Sequence, residues 1–550
     1  MKRIVGLFVI FCFALPLTVR EAVTKSEPSL QNAPTKFAKS RNGMVATGSS
    51  YATEAAVKIL ESGGNAVDAA AAACLALMVT DPANTSIGGR AQILLRLRDG
   101  RVIAIDGATQ TPAKVARLSE KEDRQGYAIV PVPGALAALE EMVRKYGRLK
   151  FSDVLRPAIE LAENGYKVPP RLAATWARTH DALQKNKGAA MNFLKPDKSP
   201  YAEGELFRQP NLARVLREIS KSGIAVFYRG DFADAIARDV AQHGGFITKS
   251  DLQNYRAQKG VVVRTNYRGY QVVSAGGRAW GNTLAEMLNI LEHFSVNSNE
   301  PTAFEIETIA RIIAQAMADR PQELGTLKPK QNGYSLNQLS SKQFGKQRAE
   351  QIKRLLPLEK SSSQTESKPD DTSHLSVMDA EGNAVSLTTS IGPSFGARVA
   401  TPELGFLYAH SYRMRSDPTP LSRDLTEMTP SIVFRGNQAL LVIGAAGSER
   451  IPTAILQVIS NLLDRNYSLE KAMLAPRIFC LNNKLRMHKG FSAKLIEELR
   501  GRGFDIEIVE LDSSRHLGLV HAVQYDPIGR EFFGFADNGD SGSADSPAKQ

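Results

Sequence analysis

The segment that most constrains this chain is DDTSHLSVMDAEGNAVSLTTS, Asp370–Ser390. From Glu359 to Asp371 the sequence offers almost nothing that a core could bury, so the run is expected to stay mobile or to link two domains. At Thr372 it changes to two strand-like stretches, SHLSVMDA and NAVSLTTSI, joined by DAEGNA with Gly382 and Asn383 as turn formers. A hairpin is predicted here. If Asp379 and Ala384 are the first pair outside a four-residue loop, Ser390 falls opposite Ser373 and Thr372 opposite Ile391. Thr372 and Ser390 are then a diagonal step apart at one end of the hairpin.

Two neighbouring hydroxyls where a polar run becomes a strand suggest a specific chemistry. A threonine hydroxyl is a weak nucleophile, but an α-amine on the same residue, with its pKa near ~8, can act as its base. That requires Thr372 to become a chain terminus. The Thr372 hydroxyl would attack the Asp371 carbonyl, the peptide C–N bond would give way to an ester, and water would release the preceding chain. The plain alternative is a β-forming threonine at a strand edge.

QALLVIGAAGSERIPTAILQVISNLL, Gln438–Leu463, reads as a strand over about 439–443, a small-residue turn Gly444–Ser448, and a helix from about Ile451. Successive N–H groups in such a turn can converge on an oxyanion, or the turn can simply permit close packing. The glycine-to-lysine spacing of a phosphate loop is absent.

With 550 residues the chain suggests one large domain or two to three smaller ones. Lys2 and Arg3 precede an apolar run to about Leu17, the pattern of an export signal over residues 1–23. The protein is therefore expected to be exported, periplasmic or secreted, or held at the membrane if that segment stays uncleaved. Of the three cysteines, Cys12 lies in this run, while Cys74 and Cys480 sit in core-like surroundings and read as buried thiols. The formal charge of +12 comes from scattered residues with no base-reading motif, so no nucleic-acid partner is expected. The eight histidines lack metal-ligand spacing, and neither metal nor cofactor is expected. TEAAVKIL reads as a helix ended by Gly63-Gly64, and Asn65 opens an alanine-rich second helix. ILLRLR and VIAID form a hairpin, residues 132–330 are mainly helical, and the sequence after 331 becomes steadily more polar.

Taken in order, GGNAVDAA at 63–70, SIGG at 86–89, PVPGALAAL at 131–139, FYRGDFADAIA at 227–237, the 372–396 segment, MTPSIV at 428–433, GAAGSERI at 444–451 and APR at 475–477 resemble the γ-glutamyltransferase family of N-terminal nucleophile hydrolases. The resemblance spans roughly 43–540. It implies an α+β fold, a four-layer αββα sandwich with a large helical portion. It implies a proenzyme cut between Asp371 and Thr372. The large chain 24–371 then ends in a processing tail, and it forms one catalytic heterodimer with the small chain 372–550. Thr372 becomes the nucleophile, Ser390 supports it where the family usually has threonine, and the N–H groups of Gly447 and Ser448 match an oxyanion hole usually made by two glycines. Thr388 and His374 match positions near the nucleophile.

The matches thin out around the substrate. Ala108 stands where the family has an arginine for the α-carboxylate, and Gly392 where it has an asparagine. Ser411 replaces a glutamine, and Met414 the aspartate that meets the α-amine. Thr426 and Glu427 replace a serine pair. Arg398, Arg413, Arg415 and Glu427 are the charged candidates to substitute. Three functions follow: a γ-glutamyl hydrolase or transferase acting on glutathione-like amides, a threonine amidase of another acyl specificity, or a non-catalytic relative.

Overall fold

In the computed structural model the described residues are 35–115, 126–296, 299–320, 334–354, 372–411, 414, 418–510 and 516–548. The export-signal region, the polar run up to Asp371, and Arg413 and Arg415 lie outside them.

Two seven-stranded antiparallel sheets carry the architecture. The first has the order β19-β2-β10-β11-β3-β4-β7. Its strands are β2 (Gly43–Thr47), β3 (Arg90–Arg96), β4 (Val102–Gly107), β7 (Gln258–Lys259), β10 (Ser373–Asp379), β11 (Ala384–Ser390) and β19 (Ser543–Asp545). The second has the order β1-β18-β17-β13-β12-β9-β8. It comprises β1 (Phe37–Ser40), β8 (Val261–Tyr267), β9 (Tyr270–Gly276), β12 (Ser431–Arg435), β13 (Gln438–Ala446), β17 (Leu519–Asp526) and β18 (Glu531–Ala536). The sheets pack face to face, and helices cover each outer face. Ser50–Glu61, Ala66–Thr80 and Ala135–Tyr146 share a core with the first sheet. Gly281–Leu291, Ala303–Asp319 and Arg450–Leu463 share one with the second. A third, smaller core lies between the sheets, around Met44, Leu94, Met378, Ile432, Val442 and Val523. This is the expected four-layer αββα sandwich.

The helix starts follow local chemistry. Asn65 accepts from the N–H groups of Val67 and Asp68, while the Asp68 carboxylate accepts from Asn65 N–H in return, so Gly63-Gly64 ends one helix and a capping box opens the next. The alanine-rich helix Ala66–Thr80 is buried on all sides, which its small side chains permit. Cys74 lies within it, and Cys480 lies on a strand of the second sheet's helical layer; both are buried free thiols, each pushed up to about 12 by burial.

The hairpin differs from expectation by one residue. Asp379 N–H donates to Asn383 O at 3.0 Å and Gly382 N–H to Asp379 O at 3.1 Å, so the loop holds three residues and Met378 pairs with Ala384. Gly382 sits at φ +89°, the left-handed conformation that closes such a loop at little cost to glycine. Ser373 therefore pairs with Thr389, and one step further Thr372 comes level with Ser390 rather than Ile391. A one-residue shift also decides which face each side chain occupies. Leu375, Val377, Val385 and Leu387 enter the helix-side core, so the even-numbered positions 372 to 378 and 384 to 390 face the other sheet.

Candidate active site

That inner face changes character along its length. Met378 and Ala384 are apolar at one end. Toward Thr372 the face becomes a buried polar stripe. His374 Nδ1 lies 2.8 Å from Thr388 Oγ1, and its Nε2 lies 3.1 Å from Ser376 Oγ. Ser376 Oγ donates to His521 O at 3.0 Å, and Ser386 Oγ donates to Ile443 O at 3.0 Å, which ties the sheets together. Gly444 leaves room for the His374 ring, because a Cβ there would lie 2.2 Å from His374 Cε1. Burial, with His521 beside it, pushes the His374 imidazole well below its ordinary pKa and keeps it neutral. Thr388 and His374 thus form the stripe on which the hairpin end rests.

Thr372 and Ser390 end this stripe side by side, with 7% and 2% of their surfaces exposed. Ser390 Oγ accepts from Gly392 N–H at 2.9 Å, where the chain turns at φ +91°. On the other side, Thr372 and Ser373 border a cavity of about 30 Å³ walled also by Asn84, Arg171 and Asp540. Burial alone would raise the Asp540 pKa, but His521 at 2.7 Å, Lys36 and the Gly542 N–H together hold it below the usual carboxylate range.

Across the sheets, β13 runs past His374 at Gly444 and ends at Ala446, so the turn that follows lies at the Thr372 end of the sandwich. Gly447 adopts φ +126° and Ser448 φ +57° before the helix Arg450–Leu463 begins. N–H groups at a helix start have no partner in the helix's own ladder, and the helix dipole is positive there. This is the strand–turn–helix expected from the sequence, with the strand ending three residues later, at Ala446. The Ser448 hydroxyl donates to Glu427 Oε1 at 3.2 Å.

The segments expected to meet a substrate's charged groups are engaged with one another. Ala108 is buried, its N–H bound to Asp106 Oδ1 at 2.8 Å and its carbonyl to the Tyr255 hydroxyl at 2.6 Å. Ser411 Oγ donates to Asp424 Oδ1 at 2.7 Å, and Thr109 Oγ1 and Arg90 close on Oδ2 of the same carboxylate at 2.6 and 3.5 Å. Thr426 Oγ1 accepts from Met428 N–H at 3.3 Å. Met414 is fully buried. Arg398, half-buried at φ +60°, donates to Ser394 O at 3.4 Å. The structure thus joins Glu427 to the Ser448 turn and commits Ser411 elsewhere. Asp371 and Arg413 are outside the described residues. Sequence reasoning missed Asp424, although an acid between buried-segment residues in SRDLTEMTP was a visible signal. It also missed Glu449, next to the glycine turn. Among the described residues no group of acidic, histidine or cysteine side chains could hold a metal ion, and no helix is long and apolar enough to cross a membrane.

Comparison with known proteins identifies the family and the fold. A family model described as Gamma-glutamyltranspeptidase matches residues 52–546. The chain is 30% identical over 537 residues to a protein of Escherichia coli (strain K12) named Glutathione hydrolase proenzyme, covering 91% of this chain and 90% of that one. It is 31% identical over 523 residues to Acylase ACY 1 proenzyme of Pseudomonas sp. (strain V22), covering 90% and 92%. Among solved structures, cephalosporin acylase from Bacillus halodurans superposes with a TM-score of 0.84 at 26% identity, over 96% of this chain and all of that one. The chain is a member of the γ-glutamyltranspeptidase family, with the sandwich fold of the N-terminal nucleophile hydrolases.

Proposed function

We propose that this protein is a self-processing amidohydrolase and acyltransferase whose nucleophile is the hydroxyl of Thr372. The observation that carries the reading is the hairpin register, which sets Thr372 level with Ser390 at the end of the sandwich where β13 turns into a helix. In the precursor, Thr372 Oγ1 attacks the Asp371 carbonyl carbon. The C–N bond breaks as the ester forms, which frees the Thr372 α-amine, and water then cleaves the ester to free Oγ1 and leave a carboxyl group on Asp371. In the mature heterodimer of 24–371 and 372–550 that amine takes the hydroxyl proton as Oγ1 attacks a substrate amide, and returns it to the leaving amine. The N–H groups of Gly447 and Ser448 receive the developing oxyanion. Ser390 Oγ orients the nucleophile. Water or an amine then accepts the acyl group. The N-terminal segment directs export.

Family membership and the E. coli relative's name support γ-glutamyl amides such as glutathione as the substrate class. A second reading, amides of another acyl group, rests on a specific observation. Ala108 and Met414 bring no charge to the pocket, and Ser411 is spent on Asp424. The acylases among the relatives are consistent with it.

The test of the common core is the purified protein's mass. Two fragments are expected, the second beginning at Thr372, and Thr372→Ala should stay whole. An alanine variant that still splits at this bond would refute intramolecular attack. Kinetics on γ-glutamyl amides against amides lacking the α-amino or α-carboxyl group then separates the two substrate readings; a strong preference for the complete glutamyl group would end the second.

A further inference from the structure

The turn that would hold the oxyanion is flanked by two carboxylates. Glu427 accepts from Ser448 Oγ at 3.2 Å, so its charge is one side chain away from the reacting carbonyl. Glu449 follows Ser448 directly and is 7% exposed, yet its Oε2 is buried and accepts no hydrogen bond among the described residues. The position of Glu427 is fixed by backbone bonds. Thr426 N–H donates to Arg278 O at 3.0 Å, and Trp280 N–H donates to Met428 O at 3.1 Å. The Arg320 guanidinium lies 3.6 Å over the Trp280 ring.

Arg320 and Arg450 act on Glu449 electrostatically, yet its Oε2 receives no hydrogen bond among the described residues. Arg278 is paired with Asp106 at 3.3 Å. Arg450 places Nη1 3.4 Å from Gly447 O and its guanidinium 5.5 Å over Phe479. Burial raises the Glu449 pKa, Glu427 adds to the rise, and the opposing effects of Arg320 and Arg450 do not cancel it. A buried carboxylate oxygen without a donor is costly within the free protein and would gain most from a ligand that brings N–H donors and positive charge. A substrate carboxylate at the same place would meet two acids, so the pair also discriminates against it.

We propose, resting on the nucleophile and oxyanion turn given above, that Glu427 and Glu449 form a subsite for a positively charged amine of the substrate, carried by the acyl donor or by the acceptor. The enzyme then selects cationic amides or amines and needs no carboxylate on them. Glu427 presents an acceptor beside the oxyanion turn, and Glu449 supplies the buried one.

The experiment uses the full-length, self-processed protein. One arm compares kcat/KM for 4-aminobutyryl, butyryl and γ-glutamyl p-nitroanilides, which differ in ammonium and carboxylate alone. The other compares transfer from one donor to a diamine and to a neutral alkylamine. At least one arm is expected to favour the ammonium compound by about tenfold or more, mainly through KM, and which arm does so identifies its bearer. Glu449→Gln and Glu427→Gln should bring that ratio toward one. Because the ratio is taken within each preparation, a loss of folded enzyme cancels. Equal rates for charged and neutral compounds in both arms would overturn the subsite, as would a preference that survives both substitutions or a γ-glutamyl donor favoured over 4-aminobutyryl. Those outcomes leave the threonine mechanism standing. A protein that never splits at Thr372 overturns both.

Discussion

The inner end of the β10–β11 hairpin and the group formed by Asp106, Ala108, Thr109, Ser411, Asp424 and Glu427 are both buried, yet they are built on different principles. In the hairpin, the proposed chemistry depends on where the backbone goes. The register levels Thr372 with Ser390, and Gly447 and Ser448 take positive φ where β13 turns into a helix. The mechanism proposed above asks only for an oxygen at 390 and an N–H at 448, and serine supplies each. In the second group, the buried charges are engaged by side chains of the protein itself. Asp424 is closed by Thr109, Ser411 and Arg90, Asp106 by Gln92 and Arg278, and Glu427 and Glu449 lie beside the turn. A reaction type can persist on such a frame while the substrate changes.

The sharpest break of this comparison is at Ser390. If only its oxygen matters, Ser390→Thr should process and turn over at close to the normal rate. Ser390→Ala removes the hydroxyl beside the nucleophile and should slow both self-cleavage and turnover by about 10²-fold or more, the scale of a lost positioned polar group. Single-turnover release of p-nitroaniline measures it. An alanine variant within twofold of normal would mean the levelled register has no catalytic consequence.

Next is Gly444, where backbone approach itself is the requirement. A Cβ would sit 2.2 Å from the His374 ring, which is held on both sides by Thr388 and Ser376. Gly444→Ala should destabilise the fold by about 1–3 kcal/mol, as overpacking does. Urea denaturation reads this out, and adding His374→Ala should recover part of the loss. No recovery would place the strain elsewhere.

The same burial sets a response to acid. His374, His488 and His516 are all depressed by burial, His488 to about 3. Below the unfolded value near 6.5 the unfolded chain gains protons that the folded chain refuses, so unfolding becomes easier as pH falls from there toward each folded value. Each such histidine contributes a slope of about 1.4 kcal/mol per pH unit inside its window. The urea midpoint should therefore be flat in this respect above pH ~6.5 and fall below it. His488→Gln should shallow the fall.

The contrast between the two regions also explains what could be read from sequence. Alternation and turn residues gave the hairpin, Asn65 and the double glycine gave the first two helices, and collinear motifs gave the four-layer fold. The register failed by one because a left-handed Gly382 permits a three-residue loop, and pattern alone does not distinguish loop lengths. The charges failed more deeply. Ser411 and Asp424 stand 13 residues apart and Glu427 and Ser448 21, but Asp424 is also held by Thr109 from 315 residues away, so which contact forms depends on packing between segments. No local signal encodes that.

The finest test lies at Ser448, where the two principles meet in one residue. Its backbone must take φ +57°, a conformation costing a non-glycine residue about 1–2 kcal/mol. Its side chain meanwhile holds Glu427. Ser448→Gly keeps the N–H and relieves the backbone but releases the carboxylate and loosens the unfolded chain, so stability should move by less than about 1 kcal/mol. Ser448→Ala keeps the strain and loses only the hydroxyl. The difference between alanine and glycine isolates the backbone, and the difference between serine and alanine isolates the bond to Glu427. If oxyanion binding is a backbone property, both variants should hydrolyse a neutral anilide within about tenfold of the parent, less than the loss of a whole oxyanion donor. A collapse in alanine that glycine does not share would show that the left-handed turn survives only with the Glu427 contact in place, and that the two regions are mechanically one.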